Sequence, residues 1–207
     1  MTQFTVLTSI LIALLIGAVS PGPSFLLISH ISAARSRRDG FAAAAGLGFG
    51  SVIVAAMSAA GLWFFQSNKS ATFFLIQIAG GLYLLWFGFR TWIASSEPFN
   101  MVGAIAGKAS SVAFCEGVLT QVLNPKTVAT YAAVLGALLP NDVSVGFTVL
   151  LLVFVFAIEM GWYSTVAFGF SSSRSRRIYA ASKTWLDRLT GSLVIVLGFG
   201  LLKGALL

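Results

Sequence analysis

Apolar residues run along this chain in six long blocks, at about 4–33, 41–65, 71–93, 112–139, 143–170 and 185–207, with short polar gaps between them. Each block reaches the roughly 20 residues that an α-helix needs to cross a bilayer. The pattern predicts an all-α membrane protein of six transmembrane helices. The first, fourth and fifth blocks are longer than a crossing requires, so tilt or an interruption is expected in them. A five-span arrangement with a peripheral first segment is the alternative. Residues 4–19 also have the apolar length of a signal-peptide core. No basic residue precedes them, however, and Pro21 directly after Ser20 obstructs cleavage, so the segment is expected to stay as a membrane helix.

Two interruptions fall inside the blocks. The stretch "VSPGPSFLL" breaks the first block at Pro21, Gly22 and Pro23, and "LNPKT" breaks the fourth at Asn124, Pro125 and Lys126. Proline removes a backbone donor and displaces the preceding turn, and carbonyls freed in this way are tolerated at membrane depth only where they face protein or water. Pro21 and Pro125 lie 104 residues apart, and "GLYLLWFGF" (81–89) recurs as "GSLVIVLGF" (191–199) at an offset of 110. Three helices per repeat is an odd number, so the second copy enters the membrane from the opposite face. The expected architecture is two inverted-topology repeats, residues 1–94 and 112–207, joined by a cytoplasmic linker at 95–111, with a polar site between the broken helices.

Composition narrows this picture. The chain is 57% hydrophobic and 9% charged with a net charge of +7, and its basic residues sit in short gaps rather than on a folded basic face, which argues against a nucleic-acid partner. Ten Lys and Arg residues lie in alternate gaps: Arg35, Arg37, Arg38, Arg90, Lys108, Arg174, Arg176, Arg177, Lys183 and Arg188. Lys69 and Lys203 fall on the other side. The positive-inside rule places the ten in the cytoplasm and both chain ends outside. One cysteine, Cys115, and one histidine, His30, provide neither a redox pair nor a metal cluster. No metal or cofactor is expected.

The remaining candidates are polar groups within the blocks. In the fourth, Glu116, Thr120, Asn124, Thr127 and Tyr131 follow one another at spacings of four, four, three and four, which places them on one helical face. Lys126 sits half-way along that block, where an ionised amine costs on the order of 2.5 to 3.5 kcal/mol and needs a partner or water. Glu159 in "FAIEMGWY" is the other deep charge, either paired with Lys126 or carrying a transported proton. Trp162 and Tyr163 beside it line a substrate cavity or fill the core. The small residues of "GLGFG" (46–50) suit close helix packing, not a phosphate loop, which would need a strand.

The segments "SPGPSFLLIS", "SRRDGFAAAAGLGFG", "GGLYLLWFGFRTW", "EGVLTQVLNPKT", "EMGWY" and "GSLVIVLGFGLLKG", in that order, resemble the LysE/RhtB-type amino-acid exporters over nearly the whole chain. The resemblance implies a multi-pass carrier of the bacterial inner membrane that exports amino acids or related small metabolites, driven by the proton gradient. The motif positions that carry over are Pro21, Gly22 and Pro23, then Asn124, Pro125 and Lys126, with the acid of the fifth span falling on Glu159. Two positions depart: Ser51 follows Gly50 where many members have an acid, and Ser24 stands where asparagine is usual. A scheme that needs two carboxylates is therefore not carried over. The expected partners are an amino acid and the lipid bilayer, with a homodimer left open. A non-transporting assembly or accessory subunit is the rival reading. An enzyme is disfavoured because no nucleophile–base pair is visible.

Overall fold

The structure is a computed structural model that describes residues 3–19, 22–67, 71–96, 109–140 and 142–206. Among these residues all regular structure is helical. The helices are α1 (Gln3–Val19), α2 (Pro23–Ala34), α3 (Arg37–Ser67), α4 (Ala71–Ile93), α5 (Ser110–Val122), α6 (Pro125–Leu138), α7 (Val145–Phe170) and α8 (Ser173–Leu206), with a single 3-10 turn, Ala94–Ser96, after α4. A helix satisfies its own backbone groups internally, which is what an apolar sequence requires where no water is available.

The predicted third block coincides with α4 and the fifth with α7. The first and fourth blocks each appear as two half-helices, α1 with α2 and α5 with α6, separated at the prolines. Residues 185–206 of the sixth block lie in α8, which begins twelve residues before the block, at Ser173. Among the described residues, taken one at a time, two helices are long and apolar enough to cross a membrane, Arg37–Trp63 of α3 and Val145–Phe170, and the α1–α2 pair makes a third if it counts as one span bent by 60°. The half-helices α5 and α6 have 13 and 14 residues, each shorter than a crossing. Most of the expected linker, residues 97–108, lies outside the described residues, as does Pro21.

Packing follows from α7, which is apolar nearly all round and therefore not sorted by amphipathicity. Its buried residues Phe147, Leu151, Val155, Glu159, Tyr163, Ala167 and Phe170 form one stripe at helical spacing. The upper part of that stripe, Phe147 to Val155, belongs to an apolar cluster with Ile10 and Leu14 of α1, Val54 of α3 and Leu135 of α6. The lower part, Tyr163 to Phe170, belongs to a second cluster with Phe25 and Ile28 of α2, Leu47 of α3 and Ala113 of α5. Glu159 falls between the two. Large side chains such as Ile12, Leu26, Met57, Val153 and Phe168 stay exposed and suit contact with hydrocarbon.

Two glycine contacts set the close approaches. A Cβ at Gly88 would come within 2.8 Å of the Gly191 carbonyl oxygen, and one at Gly191 within 2.8 Å of the Gly88 oxygen. Gly81 and Gly198 meet in the same reciprocal way, at 3.2 and 3.0 Å. The two recurring segments thus cross antiparallel, each first glycine against the other's second, and the small residues allow backbone to touch backbone. Between α3 and α5 the approach is closer still: a Cβ at Gly117 would come within 2.3 Å of the Ala43 carbonyl oxygen.

Polar contacts gather at one end of the bundle. Arg35 at the end of α2 forms a fork with Glu116 of α5, Nη1 to Oε2 at 3.0 Å and Nη2 to Oε1 at 3.3 Å. Asp39 of α3 accepts from Ser36 and Ser110, both at 2.7 Å, and Arg37 donates to Ser171 at the end of α7, also at 2.7 Å.

Candidate functional site

The two helix breaks are built differently. At the second, Asn124 leaves the helical path, Pro125 occupies the first position of α6, and the Asn124 side chain accepts from the Lys126 backbone N–H at 3.0 Å. That is an N-cap followed by a proline that has no N–H to satisfy. At the first, Gly22 is extended and Pro23 opens α2, but no side chain caps the helix. Gly22 and Asn124 both face the same cavity, of about 20 Å³. That is room for roughly one water molecule.

A continuous chain of side-chain hydrogen bonds lines this space. Asn124 Nδ2 donates to Ser24 Oγ at 3.2 Å, and the Ser24 hydroxyl donates to Gln121 Oε1. Gln121 Nε2 donates to Ser51 Oγ at 2.7 Å and makes a longer contact of 3.5 Å with Glu159 Oε2. Tyr131 donates its phenolic hydrogen to Glu159 Oε1 at 2.9 Å. All six residues are buried, with Ser51 at 0% and Glu159 at 2% exposure. Five helices and the second break contribute: α2, α3, α5, α6 and α7. Satisfying each buried group in this way avoids the cost of about 1–3 kcal/mol that an unpaired one carries.

Lys126 lines the same cavity as Glu159 and is 7% exposed. The two charges interact electrostatically, and the Lys126 ammonium also lies over the Phe87 ring of α4, 5.3 Å from its centroid. Thr127, Thr130 and Tyr163 complete the polar lining, with Gly17 of α1 set against the Thr130 methyl.

Of the residues singled out from the sequence, the structure brings Gly22, Ser24, Asn124, Lys126, Glu159 and Tyr163 to the cavity, with Ser51 one hydrogen bond behind it. Pro23 and Pro125 shape the breaks but are themselves exposed. Trp162 is not among the lining residues; it packs against the second apolar cluster, and its indole nitrogen is buried without a hydrogen-bond partner among the described residues. The polar face drawn through the fourth block divides at the break. Asn124, Thr127 and Tyr131 reach the cavity, whereas Glu116 pairs with Arg35 at the arginine-rich end. Gln121 and Thr130 are the members that sequence reasoning missed. Two polar residues flanking an NPK break were the available signal.

A helical bundle with a small cavity lined by Glu159 and Lys126 at two helix breaks fits a membrane translocator, and comparison with known proteins agrees. The chain belongs to the LysE type translocators, whose family model matches residues 15–204. It is 26% identical over 191 residues to a threonine efflux protein of Escherichia coli (strain K12), covering 90% of this chain and 91% of that protein. The threonine efflux protein of Salmonella typhi is 26% identical over 190 residues, with the same coverage. An uncharacterized membrane protein of Haemophilus influenzae is 23% identical over 201 residues, 93% of this chain and 92% of that one. No solved structure matches. The protein is a transporter of the membrane and not an enzyme.

Proposed function

We propose that the protein exports a small zwitterionic amino acid from the cytoplasm by proton-coupled alternating access. The observation that carries this is the placement of one acid and one amine, Glu159 and Lys126, on a single buried cavity at the two helix breaks. A free amino acid carries the same two charges in opposite sense. Its carboxylate is taken by Lys126 and the uncapped first-turn amides of α2, its ammonium by Glu159 and the carbonyls at the break, as helix termini do for charged ligands. The relatives named for threonine efflux favour a small polar substrate.

The reciprocal glycine crossing of α4 and α8 supports the two inverted repeats, because a pseudo-twofold axis in the membrane plane pairs each helix with its counterpart in this way. With the arginine-rich end in the cytoplasm, six spans leave both termini periplasmic. The cavity lies between two packed apolar clusters, which suits a gate on either side of it. A proton entering from outside neutralises Glu159 and releases the ammonium group it holds.

The test is transport in proteoliposomes loaded with an amino-acid mixture. A pH gradient is expected to drive loss of one or a few small polar amino acids, and Glu159→Gln is expected to abolish that drive. Undiminished proton-driven efflux from Glu159→Gln removes the role given to this carboxyl. If no amino acid is lost from any vesicle, and cells poisoned by amino-acid accumulation gain no relief from expression, the accessory-subunit reading stands instead.

A further inference from the structure

Gln121 occupies a junction that neither motif contains. A carboxamide has two donor hydrogens at one end and acceptor lone pairs at the other, so its orientation is fixed by what surrounds it. Here the oxygen takes the Ser24 hydroxyl, while the nitrogen donates to Ser51 and approaches Glu159. Tyr131 adds a second donor to the same carboxyl group. The titratable groups facing Glu159 are Lys126 and Tyr131 from α6 and Tyr163 from its own helix. From α2, α3 and α5 come Ser24, Ser51 and Gln121, and α1 contributes only apolar groups. Donors from α5 and α6 thus converge on the acid, which is the pattern that suits an ionised carboxylate.

A proton on Glu159 changes this. One carboxyl oxygen then carries a hydrogen that needs an acceptor, while its neighbours still present donors. Lys126 has no acceptor to offer; Tyr131 accepts a proton on Oε1 by turning its hydroxyl, whereas a proton on Oε2 meets the amide nitrogen of Gln121. Gln121 responds only by exchanging its two ends, which presents Oε1 to the acid and withdraws it from Ser24. Ser24 is in the first turn of α2 and also receives the Asn124 amide, whose other end caps α6. We infer that Gln121 is a positioning residue that transmits the protonation of Glu159 to both helix breaks, reversing its amide and releasing the Ser24 hydroxyl when the acid is neutralised. The inference rests on the reading of Glu159 as the proton carrier.

The experiment uses purified protein in liposomes, with the amino acid found by the loaded-vesicle screen. Gln121→Met keeps side-chain length and removes the amide. Proton-driven efflux is expected to fall about tenfold further than exchange at equal pH on the two sides, equivalent to about 1.4 kcal/mol of lost coupling, with a displaced pH midpoint for exchange. An equal fall in both modes, with the midpoint unmoved, makes Gln121 a packing or substrate contact and overturns the inference. Infrared difference spectra of the wild type on acid titration supply a second reading that needs no transport. The Glu159 carboxyl band, identified by its loss in Glu159→Gln, is expected to rise together with a shift of a glutamine carbonyl band absent from Gln121→Met. A carboxyl band that rises with the glutamine band still overturns the inference. If Glu159→Gln leaves both that band and proton-driven efflux in place, the parent reading fails instead. Should Gln121→Met not fold, Gln121→Leu, which also lacks the amide, serves the same comparison.

Discussion

The two breaks use the same residue logic, proline at the first position of the second half-helix, yet they are supported in opposite ways. Asn124 caps α6 from its own side chain and uses its remaining amide hydrogens to hold Ser24. Gly22 brings no cap, so the start of α2 is held from outside, by Gln121 and Asn124. The second break is therefore self-contained, and the first depends on it. A half-helix end left without its own acceptor keeps its first amides available to a ligand, whereas a capped one is already satisfied.

This difference predicts unequal costs. Asn124→Ala removes the cap and the bond to Ser24 together, and is expected to cost about 2–4 kcal/mol in detergent unfolding, with transport lost. Asn124→Asp separates the two functions, because the carboxylate still caps but cannot donate; it is expected to recover the cap's share of stability and not the transport. Ser24→Ala leaves the second break intact and is expected to cost about 1–2 kcal/mol, through unpaired groups on Gln121 and Asn124. An Asn124→Ala loss no larger than that of Ser24→Ala would contradict the dependence of one break on the other. The smallest effect on stability is expected from Gly22→Ser, a gain of only a few tenths of a kcal/mol, since serine exceeds glycine little as a cap. Its effect on transport is the informative part. Export should fall as the added hydroxyl occupies the first-turn amides, and unchanged export would mean that those amides do not meet the substrate.

Much of this was legible in the sequence where the signal was apolar length or proline. The 71–93 block gave α4 to the residue because lipid-facing hydrophobicity begins and ends with that helix. Both breaks could be read from their prolines, and Glu159 from its isolation among apolar neighbours. Two features escaped for physical reasons. The extension of α8 back to Ser173 is basic and polar, and hydropathy does not register a helix that leaves the hydrocarbon. Gln121 escaped because the polar face was drawn with one unbroken helical period through a segment that is not one helix. Asn124 adopts φ −77° and ψ 109°, which resets the phase, so that Gln121 and not Thr120 ends up buried. Periodicity fails at the break that gives the site its chemistry.

The glycine crossing of α4 and α8 has a mechanical consequence. Two backbones in contact at both glycine pairs have no side-chain layer to shear against, so one helix cannot slip past the other without collision. By the same measure α5 is pinned to α3, where Gly46 and Gly117 bring backbone against backbone, so α4 with α8 and α3 with α5 are the two helix pairs least free to slide past each other.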